Sequence, residues 1–590
     1  MDTLKKLRGL ALLFSFATVF YSCSIEDDFI DRTMAPGSPD LATKVTASLI
    51  SGFVTDENDN PVQGAAVEAG GINTSTDKYG YFEIKNAVVV QTAATVSIQK
   101  QNYFKTVRTF IAAAGKGSFF RVKLMARSNV GTISGTTGGT ISLANGFSIT
   151  LPANATVIAG SNTPFTGTIN VYAKLIRADD PDVNSVMPGD LRGLNTNNAM
   201  QVLTTYGMVA IELLNSSNGT QALQLAAGKK ATLTIPIPAA MQAAAPASIP
   251  LWYFDETKGL WQEEGGAVKT GNAFVGEVSH FTFWNCDWPS PLVQFDATVV
   301  GSNGLPLSNV LVRISLVSNP YIRGYGYTDA NGYISGAIPV NSQLQLQVYP
   351  GTSCSSVYTQ NFTTGTGNYS FGTITMTTPT GLATLSGNIT DCNNNPLAGA
   401  HLILIRNGQY YRFTTNNSGA YTFNTLLCGN PPNTVTLVAE DAASSQQSTP
   451  LNYTLNAGTN NIPTLQACGL SNNIFIHQVR NGVPYNLNNP PDTIKTINPG
   501  NNNIGMMYFA DPAMTIPAQI IFSGTGIGVG SDQTLIGMTP YTILNPPVLV
   551  HITEYGLVGQ FIAGNFTGNF SGPNNLSYNI TCSFRIRRTY

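Results

Sequence analysis

Ile50-Ser51-Gly52-Phe53-Val54-Thr55, then Asp56-Glu57-Asn58-Asp59-Asn60-Pro61, then the alternating apolar residues from Val62 to Glu68, form the stretch that decides the fold. Apolar residues at every second position, interrupted by a dense run of Asp, Asn and Pro, describe a strand, a tight turn and a second strand. A second turn follows at Thr76-Asp77-Lys78-Tyr79-Gly80-Tyr81-Phe82. The same phrase then returns twice, the mark of repeated structural units. In the second copy Gly301 to Pro306 is the first turn, Val310 to Ile314 the strand, and Thr328-Asp329-Ala330-Asn331-Gly332-Tyr333 the second turn. In the third, Ser386 to Thr390 leads into Asn393-Asn394-Asn395-Pro396, then Ala400 to Ile405, then Thr415 to Tyr421. Pro61, Pro306 and Pro396 fix φ within the first turn, and Gly80, Gly332 and Gly419 permit positive φ in the second. Asp and Asn side chains at these sites are expected to cap the turn backbone rather than to bind calcium.

All three copies resemble the carboxypeptidase regulatory-like domain, a transthyretin-like β-sandwich in which such a turn precedes a central strand. The resemblance spans a little under half of the chain and implies a β module without peptidase activity.

Composition narrows the function classes. The chain has 590 residues, too many for one core, so several domains are expected. Lys plus Arg is 30 against 32 Asp plus Glu, a near balance that argues against a nucleic-acid partner. The four histidines are scattered and no Cys-x-x-Cys occurs, so no zinc site or other cofactor is expected. No paired acidic motif, serine elbow or histidine cluster points to catalysis.

At the N-terminus Lys5, Lys6 and Arg8 precede an apolar run from Leu10 to Phe20, too short to span a bilayer and suited to a secretory signal. With its Ser22-Cys23 junction this segment resembles bacterial lipoproteins, which implies cleavage before Cys23 and acylation of that residue. Ser24-Ile25-Glu26-Asp27-Asp28 resembles the acidic export signal of Bacteroidota lipoproteins, which implies display on the outer face of the outer membrane.

The expected organisation is all-β, with tandem transthyretin-like or Ig-like sandwiches behind a lipoprotein signal peptide at 1–22 and a polar tether at 23–45. Regulatory-like modules are expected at 46–127, 292–379 and 380–469, a central β domain at 128–291 and a C-terminal β domain at 470–590. The central stretch carries Leu251-Trp252-Tyr253-Phe254, Gly259-Leu260-Trp261 and Phe281-Thr282-Phe283-Trp284-Asn285. Here it resembles the extracellular β region of cartilage intermediate layer proteins, which implies no catalytic role. A short helix is expected at Pro238 to Ala245, stopped by Pro246.

Candidate contact residues are aromatic. All four tryptophans, Trp252, Trp261, Trp284 and Trp288, lie in the central stretch. They are open to two readings, a sandwich core or a platform stacking on sugar rings, with Trp252 and Trp261 as platform candidates. Tyr321, Tyr325 and Tyr327, between the two turns of the second copy, read as a contact loop or as strand packing. With Cys23 spent on lipid, six cysteines remain, and Cys392 with Cys428 is the expected bridge because both flank one turn-strand unit, with Cys468 as competitor.

The leading functional expectation is a non-enzymatic surface lipoprotein whose β modules bind a protein or glycan ligand or space it from the outer membrane. A glycan-binding protein of a polysaccharide-uptake system is the alternative, and a hydrolase accessory protein the third.

Overall fold

The computed structural model describes residues 39–590 except 353, 378–380, 429–431, 442–445, 469, 472–473, 490–493, 509–517, 557, 559–560, 573–574 and 590. The expected lipidation residue Cys23 and the signal segment lie outside the described residues. The fold is all-β, a series of sandwich units. The helix expected after Pro238 is a single 3-10 turn, Ala239–Met241, because Pro246 and the start of strand Ser248–Asp255 leave no room for a second turn.

The repeated phrase folds the same way each time. Asp59, Gly304 and Asn394 occupy one position of the first turn and have φ of 64, 78 and 63°. The proline two residues later bridges back to the preceding strand in each copy, as Thr55 with Pro61, Val300 with Pro306, and Thr390 with Pro396. In the second turn Gly80, Gly332 and Gly419 have φ of 73, 76 and 70°. A Cβ there would stand 2.2 Å from the Val54 carbonyl oxygen, 2.3 Å from that of Val299 and 2.7 Å from that of Ile389, so only glycine fits. Turn carboxylates and amides are spent on backbone: Asp56 Oδ1 accepts from the amides of Asn58 and Asn60, and Asp391 Oδ1 from those of Asn393 and Asn395. Asp77, Asp329 and Asn416 accept from residues two and four positions ahead in the same way.

Alternation along the strands builds the cores. In the first copy Ile50, Val54, Phe82 and Ile84 face Val67, Val96 and Ile98 of a four-stranded sheet. The second and third copies bury Val299, Val312 and Leu346, and Leu385, Leu402 and Leu437, in the same manner. The central unit is a 13-stranded sheet, and the C-terminal unit a 10-stranded one with the pair Phe561–Ser571 and Ser577–Arg587 in its interior.

The units do not hang as separate beads. Strand Arg323–Tyr327 of the second copy meets strand Ser118–Lys123 of the first through one pair, Tyr327 with Phe119, and this joins the two copies into one seven-stranded sheet. The Arg121 guanidinium lies within 6 Å of the ring centres of Phe53, Phe119, Tyr327 and Tyr411 and donates to the Tyr410 carbonyl, tying in the third copy.

The cystine pattern corrects the expected bridge. Cys392 pairs with Cys468, and Cys428 pairs with Cys354. Cys392 and Cys428 lie at opposite ends of strand Leu382–Thr390, whose antiparallel partner begins opposite Asn388 and ends with Leu426 opposite Leu382. At a rise of about 3.3 Å per residue that strand holds the two roughly 26 Å apart, far beyond disulfide reach. The parallel pairing of Ile389 and Thr390 with Leu465 and Gln466 instead delivers Cys468 to Cys392. Cys354–Cys428 covalently links the second copy to the third.

Candidate functional site: a cavity at the junction of three units

Below the Tyr327–Phe119 pair the two joined strands diverge, and residues 117–121 and 321–327 line a cavity of about 310 Å³. That volume is at the lower end of the range for small-molecule sites, ~300–1,000 Å³. The first copy, the central unit and the second copy each contribute walls. Much of the lining is apolar, including Phe119, Met187, Leu203, Phe295 and Ile314.

Strand alternation puts Arg323, Tyr325 and Tyr327 on one face. The Tyr325 hydroxyl donates to the Pro181 carbonyl at 2.7 Å, so this face looks toward the central unit's 177–191 segment. That segment is held from the first copy: Arg108 donates to the carbonyls of Met187 and Asn184, and Lys123 pairs with Asp182 at 2.6 Å. Arg192 donates through Nε to Asp190 Oδ2 at 2.7 Å and through Nη1 to the Thr92 carbonyl at 2.5 Å. The cavity wall thus carries Arg108, Arg121, Arg192 and Arg323 against a single carboxylate, Asp190.

Burial dominates the electrostatics. It pushes Arg108 down to about 10, opposed by the charge of Asp190, and it raises the Asp190 carboxyl, opposed by the Arg192 guanidinium. At neutral pH Arg108 remains cationic. Five atoms on residues of this wall have no hydrogen-bond partner within the described chain: Arg108 Nε, Asn184 Nδ2, Asp190 Oδ1, Arg192 Nη2 and Arg323 Nε. Leaving such a group unpaired costs about 1–3 kcal/mol, so their concentration at one place needs an explanation.

The structure separates the aromatic candidates. Tyr321, 44% exposed, stands at this cavity just before the strand. Tyr325 and Tyr327 also line it, but they belong to a strand rather than to a contact loop, because Arg323–Tyr327 pairs along its length with Leu311–Leu316. Tyr327 is committed to the junction, its ring 6.0 Å from that of Phe119.

The platform role of Trp252 and Trp261 is overturned: both are wholly buried, their indole N–H groups donating to the carbonyls of Asp287 and Asp190. Trp284 is likewise buried, and its indole donates to the His280 carbonyl. Each sits where a broad strand face is covered, and an indole that has spent its N–H on backbone inside a core has no face left for a sugar. Trp288 is 49% exposed, and with the other three buried it makes no platform. His280 packs against Tyr253 and Trp284, and burial lowers its basicity against the opposing pull of Glu264.

Sequence reasoning did not find Arg108, Asp190 or Arg192. They stand in three different contexts with no shared motif, and the only signal was an arginine interrupting the strand Thr106–Phe110, otherwise apolar or hydroxylated.

The sequence matches no known protein family, and no curated protein matches it. Among solved structures, a shaft pilin from Lactobacillus rhamnosus GG is 13% identical over 30% of this chain and 100% of its own, with a TM-score of 0.18. A streptococcal ancillary pilin is 11% identical over 38% of this chain and 93% of its own, with a TM-score of 0.14. The major pilin subunit of Bacillus cereus is 10% identical over 72% of this chain and 100% of its own, with a TM-score of 0.12. The likeness is a distant one, to multi-domain β proteins.

Proposed function

We propose that this chain is a lipid-anchored binding protein of the outer-membrane surface, without a catalytic centre, and that it takes its ligand at the junction cavity. The observation that carries the reading is the cavity itself: three units meet around it, with Tyr321 exposed at its side and Tyr325 fixed to the central unit. Binding sites favour domain junctions, because residues distant in sequence can there converge on a concave surface. Two disulfides favour an oxidising compartment, in keeping with export. The anchor rests on the Ser22-Cys23 junction and the signal-like segment before it.

The test is a screen of the full chain against glycan and protein arrays. Binding without turnover is expected, weakened by Tyr321→Ala. Hydrolysis that survives repurification and disappears with one carboxylate or serine substitution would overturn the reading. Replacing Cys23 with Ala should release the protein from membranes; retention after a high-salt wash would remove the anchor from it.

A further inference from the structure

We propose that the first and third copies become joined by an isopeptide bond between the Lys78 side-chain nitrogen and the Gln447 side-chain carbonyl, formed by the chain itself with Glu440 carrying the proton. The site lies apart from the junction cavity and does not depend on what binds there.

The second turn of the first copy is built into the third copy. Asp77 Oδ1 accepts from the amides of Tyr79 and Tyr81, which fixes the turn, and Asp77 Oδ2 pairs with Arg412 at 2.9 Å. The Tyr79 ring lies 5.5 Å from that of Tyr410. Between these two anchored residues Lys78 reaches the third copy, where Glu440 and Gln447 stand directly opposite each other on antiparallel strands and so project from one face. The lysine nitrogen is 3.3 Å from Glu440 Oε1 and donates to Gln447 Oε1 at 3.4 Å. With a C=O bond of about 1.23 Å, the carboxamide carbon is within about 4.6 Å of that nitrogen, a side-chain rotation from contact.

Lys78 is 8% exposed and Gln447 3%. An ion pair with Glu440 accounts for burying the lysine, but not for a buried acyl group on the same nitrogen. A nucleophile, a base and an acyl carbon held together away from bulk water are the parts of an acyl transfer.

The surroundings favour the uncharged amine. Lys78 lies 4.8 Å from the ring centre of Tyr79 and 5.6 Å from that of Phe561, and Arg587 lies over the same two rings, so a second cation crowds the lysine. Burial brings Lys78 down to about 8, opposed by the charge of Glu440 and aided by that of Arg587. About a tenth of the lysine is then neutral at pH 7, far more than for a free side chain.

The step balances without a co-reactant. Glu440 takes one proton from the Lys78 ammonium, and the electron pair freed on Nζ adds to the Gln447 carbonyl carbon. As the bond from that carbon to Nε2 breaks, Glu440 gives its proton to Nε2 and takes a second from Nζ. Ammonia leaves. One amide has replaced another, and escape of ammonia draws the exchange forward. Together with Cys354–Cys428 the new bond fastens all three copies to one another, and unlike a cystine it survives reduction.

The test is mass spectrometry of the reduced full chain. The parent should be lighter than its processed sequence by one ammonia, and Lys78→Arg should carry its full mass. A protease digest of the parent should yield one branched peptide containing Lys78 and Gln447, which separates this bond from ammonia lost at an asparagine. Glu440→Gln, nearly the same in shape, should lower the cross-linked fraction about tenfold or more while keeping the near-UV circular dichroism of the parent. Separate linear peptides for Lys78 and Gln447 in the parent, even after long incubation in mild alkali, would overturn the inference. A cross-link that forms as fast in Glu440→Gln would overturn the role given to Glu440. The parent's own peptides decide the bond whether or not either variant folds.

Discussion

The tryptophan-rich stretch of the central unit and the tyrosine-rich stretch of the second copy look alike as sequence, each an aromatic cluster between turn signals, yet the fold gives them opposite tasks. Trp252, Trp261 and Trp284 are wholly buried, with every indole N–H satisfied by a carbonyl. Tyr321, Tyr325 and Tyr327 line a cavity, Tyr321 exposed just before the strand and Tyr325 and Tyr327 half-buried within it. The difference follows from what covers each strand. Trp252 and Trp261 sit in one buried apolar cluster of the central unit and Trp284 in another, whereas Arg323–Tyr327 joins its neighbour through a single pair and then parts from it. Aromatic residues become available to a ligand where sheet pairing ends, not where they are most numerous.

The strongest way to break this comparison is Trp252→Ala. If the tryptophans are structural, loss of this ring from the core should destabilise the chain by about 3–5 kcal/mol in denaturant unfolding. A loss of ligand binding without a change in stability would return Trp252 to the binding surface.

A smaller effect is expected from Tyr325→Phe, which keeps the ring and removes the hydrogen bond to the Pro181 carbonyl. The expected cost is about 1 kcal/mol of stability. Faster hydrogen exchange should follow in the 177–191 segment, since this hydroxyl ties that segment to the second copy. Unchanged exchange there would mean that the contact does not hold the cavity wall.

The smallest effect belongs to Trp288→Ala. As the exposed member of its cluster, Trp288 should change stability by no more than about 0.5 kcal/mol and leave binding at the cavity intact. A loss of glycan capture in this variant would revive an aromatic platform that the burial of the other three indoles argues against.

Much of the local architecture was legible from the chain. The period of two in Ile50 to Thr55, the Asp and Asn acceptors two and four residues before their partners, and the glycines at 80, 332 and 419 each act within a few residues, so the sequence carries them. The buried tryptophans were half legible: alternation shows that Trp252 shares a strand with apolar neighbours, and says nothing of whether a second layer covers its face. The expected bridge of Cys392 with Cys428 does not form, because nearness in sequence is not nearness in space and an intervening strand holds the two flanks apart.

By itself the sequence determined an all-β chain of repeated turn-and-strand units, because strand alternation and turn stereochemistry are short-range properties of consecutive residues. Only the tertiary structure decided which cysteines meet, which aromatic rings face a cavity, and that Arg108, Arg192 and Arg323 gather around one space. Those outcomes depend on packing between segments more than two hundred positions apart in the chain, Arg108 to Arg323, and no local pattern records such an encounter.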